Sequence, residues 1–311
     1  MTELTAPLQL LVTGCASLLL ASLLSALAYP LLRRLLLAGP AASASRWTLF
    51  YALQAVLCAS LATLVLMSPK VAGLLVPAHC HGPRCLPHSP EIHLLSPGGL
   101  TLTGVSFLAI TVLLLGGIAV AARTRQRLQL LGQLAEPCTA FEQVQSARPL
   151  AWCAGLWRPR IFLSSALVAR LSEADLDAVL AHEGSHARRR DNLRRQLAHW
   201  ATLCWPRGLR RQLLADLSEQ TELACDAAAA RRCGAQRLAR LLMTLGSPGQ
   251  PRGAGAGFLN DYRESRLAAL KAPRVAPLWS GPVGLVSLAA SSALNLALLT
   301  AAAHLALEWL T

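Results

Sequence analysis

The stretch that decides the interpretation of this chain is Leu176-Asp-Ala-Val-Leu-Ala-His182-Glu183-Gly-Ser-His186-Ala-Arg-Arg-Arg-Asp191. Side chains four residues apart share one face of a helix, so the imidazoles of His182 and His186 can reach a single ion. Two His that enclose a Glu in this way form the HExxH zinc signature, in which Glu183 can deprotonate a metal-bound water. The segment therefore predicts a helix that carries two metal ligands and a general base.

The residues around the motif favour this helix. Ser172, three residues before Asp175, is typical of a capping box at a helix start, and an apolar stripe begins at Leu176. Gly184 is the exception, because Gly inside a helix costs about 1 kcal/mol relative to Ala. A metal held by both imidazoles would offset that cost. The alternative is a solvated, arginine-rich helix with two incidental histidines.

A catalytic zinc needs a third protein ligand and an open position for water. The best candidate lies in Glu222-Leu-Ala-Cys225-Asp226, where Glu222 and Asp226 share a helix face. Glu222 would bind the ion, and Asp226 would hydrogen-bond a ligating imidazole from behind. Glu219 is the competing third ligand. Cys225 is expected to be a small packing residue, with a thiolate ligand as the alternative.

These motifs resemble the membrane metallopeptidases of the BlaR/MecR type, which comprise beta-lactam-sensing receptors and relatives that lack the sensor. The resemblance extends over residues 100–275. It is carried by His182-Glu-Gly-Ser-His186, Arg188-Arg-Arg-Asp191-Asn192, Glu222-Leu-Ala-Cys-Asp226, Arg148–Ser164 and Cys204-Trp205-Pro206. Gly184 replaces the larger apolar residue that the family usually has. The resemblance implies a gluzincin, with Zn²⁺ on His182, His186 and Glu222 and with Glu183 as general base.

The composition is that of a membrane protein. Hydrophobic residues make up 54% of the 311 residues, charged residues only 14%, and the mean hydropathy is +0.44. Apolar stretches of about 20 residues or more can cross a bilayer core. Four such stretches are predicted as spans, at residues 7–32, 47–67, 101–122 and 278–307. Glu3 stands where a signal peptide would have basic residues, so the first stretch is expected to be a retained span.

The distribution of basic residues predicts the orientation. Arg33, Arg34 and Arg46 lie between the first two spans, and 23 Arg and Lys271, of 29 basic residues in all, lie within 123–276. The positive-inside rule then predicts that 123–276 is cytoplasmic and that both termini and the 68–100 loop are extracytoplasmic. An anionic inner leaflet explains the net charge of +13 without nucleic-acid binding, for which no motif is present.

These features predict a mainly α, multi-pass protein of the inner membrane, with the lipid bilayer as its first partner. Residues 1–122 would contain three transmembrane helices, 123–276 a cytoplasmic α+β zinc metallopeptidase domain, and 277–311 the fourth helix and the C-terminus. The 68–100 loop contains Cys80 and Cys85, which are expected to form a disulfide outside the cytoplasm. Because three His lie nearby, a metal or redox sensor is the alternative.

Within the 123–276 domain, a basic helix is expected to continue from the third span and to turn at Glu136-Pro-Cys. A hairpin is predicted with strands at 150–153 and 160–163. In metallopeptidases of this kind an edge strand beside the zinc helix binds substrate, and the strand 160–164 would be positioned for that; the alternative, which does not exclude it, is an ordinary hairpin packed beneath the helix. His199 is either an oxyanion donor or a packing residue. The other predicted elements are an amphipathic stretch at 192–217 broken at Trp205-Pro206, a flexible linker at 246–257 and a short helix at 261–270.

The resemblance implies a zinc endopeptidase that responds to an outside signal by cleaving a cytoplasmic protein such as a transcriptional repressor, or itself. The penicillin-binding sensor domain of the beta-lactam receptors is expected to be lacking, because the chain ends at Thr311, just after the fourth span. One alternative is a housekeeping membrane protease of the HtpX or CAAX-processing type. Another is a non-catalytic transducer or scaffold, in which the motif binds zinc structurally or binds no metal at all. A structural zinc would need a fourth ligand, for which Cys225 is the only nearby candidate.

Overall fold

The computed structural model of the protein describes residues 2–68, 71, 95–245, 262–272 and 280–310. In chain order the described elements are α1 (Thr2–Leu36), α2 (Ala41–Leu66), α3 (Pro97–Leu134), β1 (Ala135–Pro137), β2 (Glu142–Val144), β3 (Ala151–Ala154), β4 (Arg160–Ser164), α4 (Ser165–Val168), α5 (Glu173–Arg189), α6 (Asp191–Ala201), α7 (Arg207–Cys233), α8 (Ala235–Leu245), α9 (Arg263–Lys271) and α10 (Ser280–Leu310). The predicted Cys80–Cys85 disulfide and the predicted linker 246–257 lie outside the described residues.

Four helices, α1, α2, α3 and α10, are long and apolar enough to cross a membrane. They confirm the predicted spans as candidate membrane helices, with boundaries that extend further at most ends. Helices α1, α2 and α10 pack against one another, and α3 contacts α1. Polar side chains join the packed helices: Asn295 donates to Ser25 Oγ at 2.9 Å, and Ser291 donates to Gln54 Oε1 at 3.0 Å. Such contacts stabilise helix association where water is absent.

A mixed four-stranded sheet in the order β1-β2-β4-β3 follows α3. The predicted hairpin is confirmed, with Ala151 paired to Leu163 in the antiparallel ladder of β3 and β4. Its turn requires Gly155, which has φ +107°, because a Cβ there would lie 2.7 Å from the carbonyl oxygen of Arg158. The turn predicted at Glu136-Pro-Cys is instead strand β1, which pairs with β2.

The prediction that the strand 160–164 forms the sheet edge is wrong. Strand β4 pairs with β3 on one side and, in parallel, with β2 on the other, so both of its hydrogen-bonding sides are used. The edge strand of the hairpin is β3. Hydrogen bonding alternates along an antiparallel ladder. Since Ser164 donates to the carbonyl of Leu150, the backbone groups of Ala151 and Cys153 point away from β4.

Helix α5 contains the HExxH motif and begins where the sequence predicted. Ser172 caps it, because its hydroxyl accepts a hydrogen bond from the backbone N–H of Asp175 at 3.3 Å. The helix ends at Arg190, which adopts a left-handed conformation with φ 51° and leads directly into α6. The predicted break at Trp205-Pro206 separates α6 from α7. Helix α5 packs on α7, α8 and the sheet around a core that includes Leu163, Leu167, Val179, Leu238 and Leu242.

Helix α7 is also attached to the membrane helices. Asp216 of α7, which is buried, accepts a hydrogen bond from the Tyr29 hydroxyl at 2.8 Å and two from the Arg33 guanidinium at 2.6 and 2.7 Å. The rings of Tyr29 and Tyr51 pack against Trp205, with centroids 6.0 and 6.2 Å away. The helix that supplies the predicted third ligand is therefore fixed against α1 and α2.

Candidate metal centre

Helices α5 and α7 bring His182, His186 and Glu222 together in the buried interior. The Nε2 atoms of the two imidazoles lie 3.1 Å apart. The Glu222 carboxylate lies 3.5 Å from His182 Nε2 through Oε2 and 3.6 Å from His186 Nε2 through Oε1. The helical spacing of His182 and His186 therefore places one nitrogen of each ring beside the same carboxylate.

The cluster has the dimensions of a zinc site. A tetrahedral zinc with bonds of about 2.0–2.1 Å holds its ligand atoms about 3.3 Å apart. The observed separations of 3.1, 3.5 and 3.6 Å bracket that value. Two imidazole nitrogens and one carboxylate oxygen are also a donor set that zinc accepts. Among the residues that the structure describes, no fourth ligating side chain joins this cluster, so a tetrahedral ion there would keep one coordination position for a water or a substrate oxygen.

Each imidazole is held from behind by a carboxylate. His182 Nδ1 lies 2.9 Å from Asp226 Oδ1, and His186 Nδ1 lies 3.0 Å from Asp191 Oδ2. Such contacts fix a ring so that its Nε2 lone pair faces the metal. Asp226 is where the sequence predicted it. The contact of Asp191 with His186 was not predicted from the sequence, where the available signal is its position five residues after His186.

Two arginines stabilise the acidic side of the cluster. Arg266 of α9 is fully buried and donates to both oxygens of Asp226, at 2.6 and 2.7 Å, and its Nη1 lies 3.6 Å from Glu222 Oε2. Arg195 of α6 donates to Glu222 Oε1 at 3.0 Å. Neither contact was predicted, because the paired residues belong to different helices and lie 27 and 40 positions apart in the sequence.

The charged groups of the cluster shift the pKa values of its side chains. Burial disfavours the charged form of His182, but hydrogen bonds to Asp226 and Glu222 outweigh burial and raise its pKa to about 9. Burial also opposes ionisation of Glu222, yet its hydrogen bonds to the two imidazoles hold its pKa well below the usual range. For Asp226 burial is likewise outweighed, by hydrogen bonds to Arg266 and His182 that lower its pKa. The carboxylates are therefore ionised at neutral pH.

Glu183 differs from these carboxylates. Its side chain is fully buried, and within the described part of the chain neither of its oxygens has a hydrogen-bond partner. Burial raises its pKa, although the neighbouring His182 and His186 act in the opposite direction. A buried carboxylate without donors is costly unless a ligand or water meets it. This side chain is thus available to act on a molecule in the site.

The other candidates lie outside the cluster. Glu219 is only partly buried and is not among the residues that share the ligand set. The Cys225 thiol lies 3.4 Å from His186 Nδ1, on the side of the ring away from Nε2. His199 is exposed.

The comparison with known families agrees with this geometry. Residues 105–252 match the family model described as BlaR1 peptidase M56. They form a BlaR1-type M56 peptidase domain. No curated protein and no solved structure matches the chain. The resemblance to BlaR/MecR-type metallopeptidases that the motifs indicated is confirmed.

The M56 domain contains the whole His182–His186–Glu222 cluster. Membership of this metallopeptidase family implies peptidase activity, and the buried cluster indicates a bound metal ion. Arg266 lies beyond the matched residues. The contacts that complete the charge balance of the site therefore come in part from outside the family domain.

Proposed function

We propose that the protein is an integral membrane, zinc-dependent endopeptidase in which His182, His186 and Glu222 hold the zinc. The observation that carries this proposal is the ligand triangle, with edges of 3.1, 3.5 and 3.6 Å. The identity of the metal rests on the donor set and on the family. Asp226 and Asp191 would keep the two imidazoles in the orientation that binds the ion.

The proposed chemistry is hydrolysis of a peptide bond by water. Bound zinc would supply Lewis-acid chemistry, which polarises the scissile carbonyl and acidifies the attacking water. Glu183 would accept the proton of that water and then transfer it to the leaving nitrogen. A raised pKa suits this role, because a base works best when its pKa is close to the working pH.

We propose that the peptide substrate binds beside β3. In β-strand addition an extended chain would pair with the outer side of β3, where the N–H of Cys153 points away from β4. Helix α5, which contains Glu183, contacts β3, so this edge lies close to the proposed base. Burial is the main cause that raises the pKa of the Cys153 thiol to about 12, so the thiol stays protonated. An extended substrate along β3 would present its scissile bond to Glu183.

We further propose that the M56 domain faces the cytoplasm and cleaves a cytoplasmic protein, such as a repressor, or the protein itself, in response to an outside signal. The concentration of basic residues within 123–276 supports this orientation through the positive-inside rule. The contacts of Asp216 with Tyr29 and Arg33 supply a physical connection between α7 and the membrane helices. Substrate and signal are inferred from the family resemblance.

The non-catalytic alternative is disfavoured by the ligand count. A structural zinc site is usually closed by four protein ligands, and the described residues supply three to this cluster. Cys225, the nearest candidate for a fourth, contacts the Nδ1 side of His186. A closed structural site would need a different arrangement of α7.

The test combines metal analysis and hydrolysis on detergent-purified protein. Near-stoichiometric zinc is expected in the wild type and in Glu219→Ala, with loss of zinc in Glu222→Ala. Glu183→Gln should retain zinc and lose peptide hydrolysis by about 10²–10⁴-fold, which is the usual contribution of general acid–base catalysis. Normal cleavage by Glu183→Gln would refute its assignment as the base, and a wild type that is folded without zinc would favour the transducer.

A further inference from the structure

A cavity of about 600 Å³ lies next to the metal centre, between α3, β3, α6 and α7. Its lining includes Arg127, Trp152, Asn192, Arg195, His199 and Ser218. None of the described residues that line it is acidic. The cavity is large enough for a long side chain, and its charged groups carry one sign.

The cavity begins where the proposed substrate strand would lie. Trp152 and Cys153 of β3 form part of its wall. Asn192 fastens this strand to α6, because its amide donates to the carbonyl oxygen of Cys153 at 2.9 Å. Arg195, one turn further along α6, lines the cavity and also contacts the metal-site carboxylate Glu222 at 3.0 Å. A side chain of a peptide paired with β3 can therefore enter the cavity close to the metal centre.

The positive charge of the cavity is only partly compensated. The Nη2 atom of Arg195 is used by Glu222, but its buried Nε has no hydrogen-bond partner among the described residues. The Glu222 carboxylate is shared with Arg266. Arg127, at the other side of the cavity, is exposed. An anionic group in the cavity would form charge-assisted hydrogen bonds with Arg127 and with the accessible part of the Arg195 guanidinium.

We propose that this cavity is the subsite for an acidic side chain, Asp or Glu, of the peptide substrate beside the scissile bond. The proposal rests on the proposed peptidase function and specifies its substrate class. The carboxylate would contact the guanidinium groups of Arg127 and Arg195, and its aliphatic stem would pack on Leu128 and Leu131, which also line the cavity. An amide of the same shape fits but loses the charge-assisted contacts.

The first test measures binding without hydrolysis. Fluorescein-labelled octapeptide pools with Asp at a fixed central position, or with Asn there, are titrated into Glu183→Gln protein in neutral detergent. We expect the Asp pool to bind about tenfold more tightly than the Asn pool, which is the difference expected when a neutral hydrogen bond is replaced by a charge-assisted one. In the Glu183→Gln background, Arg127→Gln should remove most of this preference. Arg125→Gln, on the same helix but outside the lining, should keep it.

The second test measures cleavage of a proteome-derived peptide library by wild type and Arg127→Gln, with cleavage sites read by mass spectrometry. We expect acidic residues to be enriched at one position beside the cleaved bond, and the enrichment to fall in Arg127→Gln. Cleavage without acidic enrichment would overturn the subsite and leave the peptidase intact. Acidic preference in binding without any cleavage would overturn the peptidase and leave the subsite.

An anionic lipid headgroup is the competing occupant. The binding assay is therefore repeated in phosphatidylcholine nanodiscs with and without phosphatidylglycerol. If the Asp and Asn pools bind equally in neutral lipid and Arg127→Gln changes only the effect of phosphatidylglycerol, the cavity is a lipid site and the proposal is wrong.

Discussion

Replacement of Arg266 by Met tests whether α9 belongs to the metal centre. The side chain is fully buried, and its guanidinium holds both oxygens of Asp226 at 2.6 and 2.7 Å. Met fills a similar space with flexible apolar atoms, so most of the packing should survive. The main effect is electrostatic, because the substitution leaves the buried Asp226 carboxylate without its guanidinium.

The magnitude follows from the burial of this pair. Removal of one partner of a buried ion pair costs about 3–5 kcal/mol, because the remaining charge has no compensation. For a domain of 150–250 residues, about 2–4 °C of melting temperature corresponds to 1 kcal/mol. We therefore expect Arg266→Met to lower the melting temperature of the chelator-treated protein by about 6–20 °C.

The assay is thermal unfolding in detergent, with Arg263→Met as the matched control. Arg263 is on the same helix and donates to a backbone carbonyl, that of Met243, at 3.0 Å, so its replacement should cost about 1 kcal/mol or less. The Arg266→Met/Asp226→Asn double variant should recover part of the lost stability, since no uncompensated carboxylate remains. A melting temperature of Arg266→Met within about 2 °C of the wild type would refute the reasoning. So would a double variant in which the effects of the two single substitutions simply add.

Three further predictions concern the metal and the substrate edge. Asp191→Asn should weaken zinc affinity by about 10–100-fold, because Asp191 orients His186. Competition with a chromophoric chelator measures the affinity, and an unchanged value would contradict the prediction. Zinc affinity should rise as the pH increases above 7, because the pKa of His182 is raised to about 9 and that of His186 is also raised, and both imidazoles must lose a proton to bind metal. The same competition titration at several pH values measures this, and a flat profile would contradict it. Asn192→Ala should lower kcat/KM about tenfold at unchanged zinc content, because the hydrogen bond from the Asn192 amide to the carbonyl of Cys153 holds β3 in position. Loss of zinc in this variant would instead assign Asn192 to the metal centre.

The two pairs of site residues, one on each helix, were predictable because the geometry within each pair is local. His182 and His186, like Glu222 and Asp226, are separated by four residues, and helical periodicity alone puts each pair on one face. The four apolar helices were predictable for a similar reason, since length and hydropathy suffice. The pairing of α5 with α7 is not local. That pairing was predicted because a catalytic zinc needs a third ligand and because of the family resemblance.

The edge of the sheet was not predictable from the hairpin alone. Which strand of the hairpin is the edge depends on β2, a strand of three residues at Glu142–Val144. So short a segment carries no readable alternation of apolar and polar residues. The parallel pairing of β2 with β4 is a long-range contact. Because it occupies the second side of β4, the edge strand is β3.

The arginines that support the metal centre were not predicted, because they belong to different helices that meet only in the folded protein. Arg266 approaches from α9, and Arg189 links Asp191 to α2 through Nη2, which donates to Ser45 Oγ at 2.8 Å. An isolated charged residue in an amphipathic helix usually faces solvent, so neither residue stands out in the sequence. Only the packing of the helices shows that their charges are buried and paired.

This arrangement makes the whole chain, and not the matched domain, the functional unit. A fragment limited to residues 105–252 would contain all three proposed ligands, yet it would lack Arg266 as well as the α1 and α2 contacts. Asp226 would lose its bidentate partner, and Asp216 would lose Tyr29 and Arg33. Since an uncompensated buried carboxylate costs several kcal/mol, helix α7 would have to move or expose these groups to water. The membrane helices and α9 are thus required to hold the third ligand beside the HExxH helix.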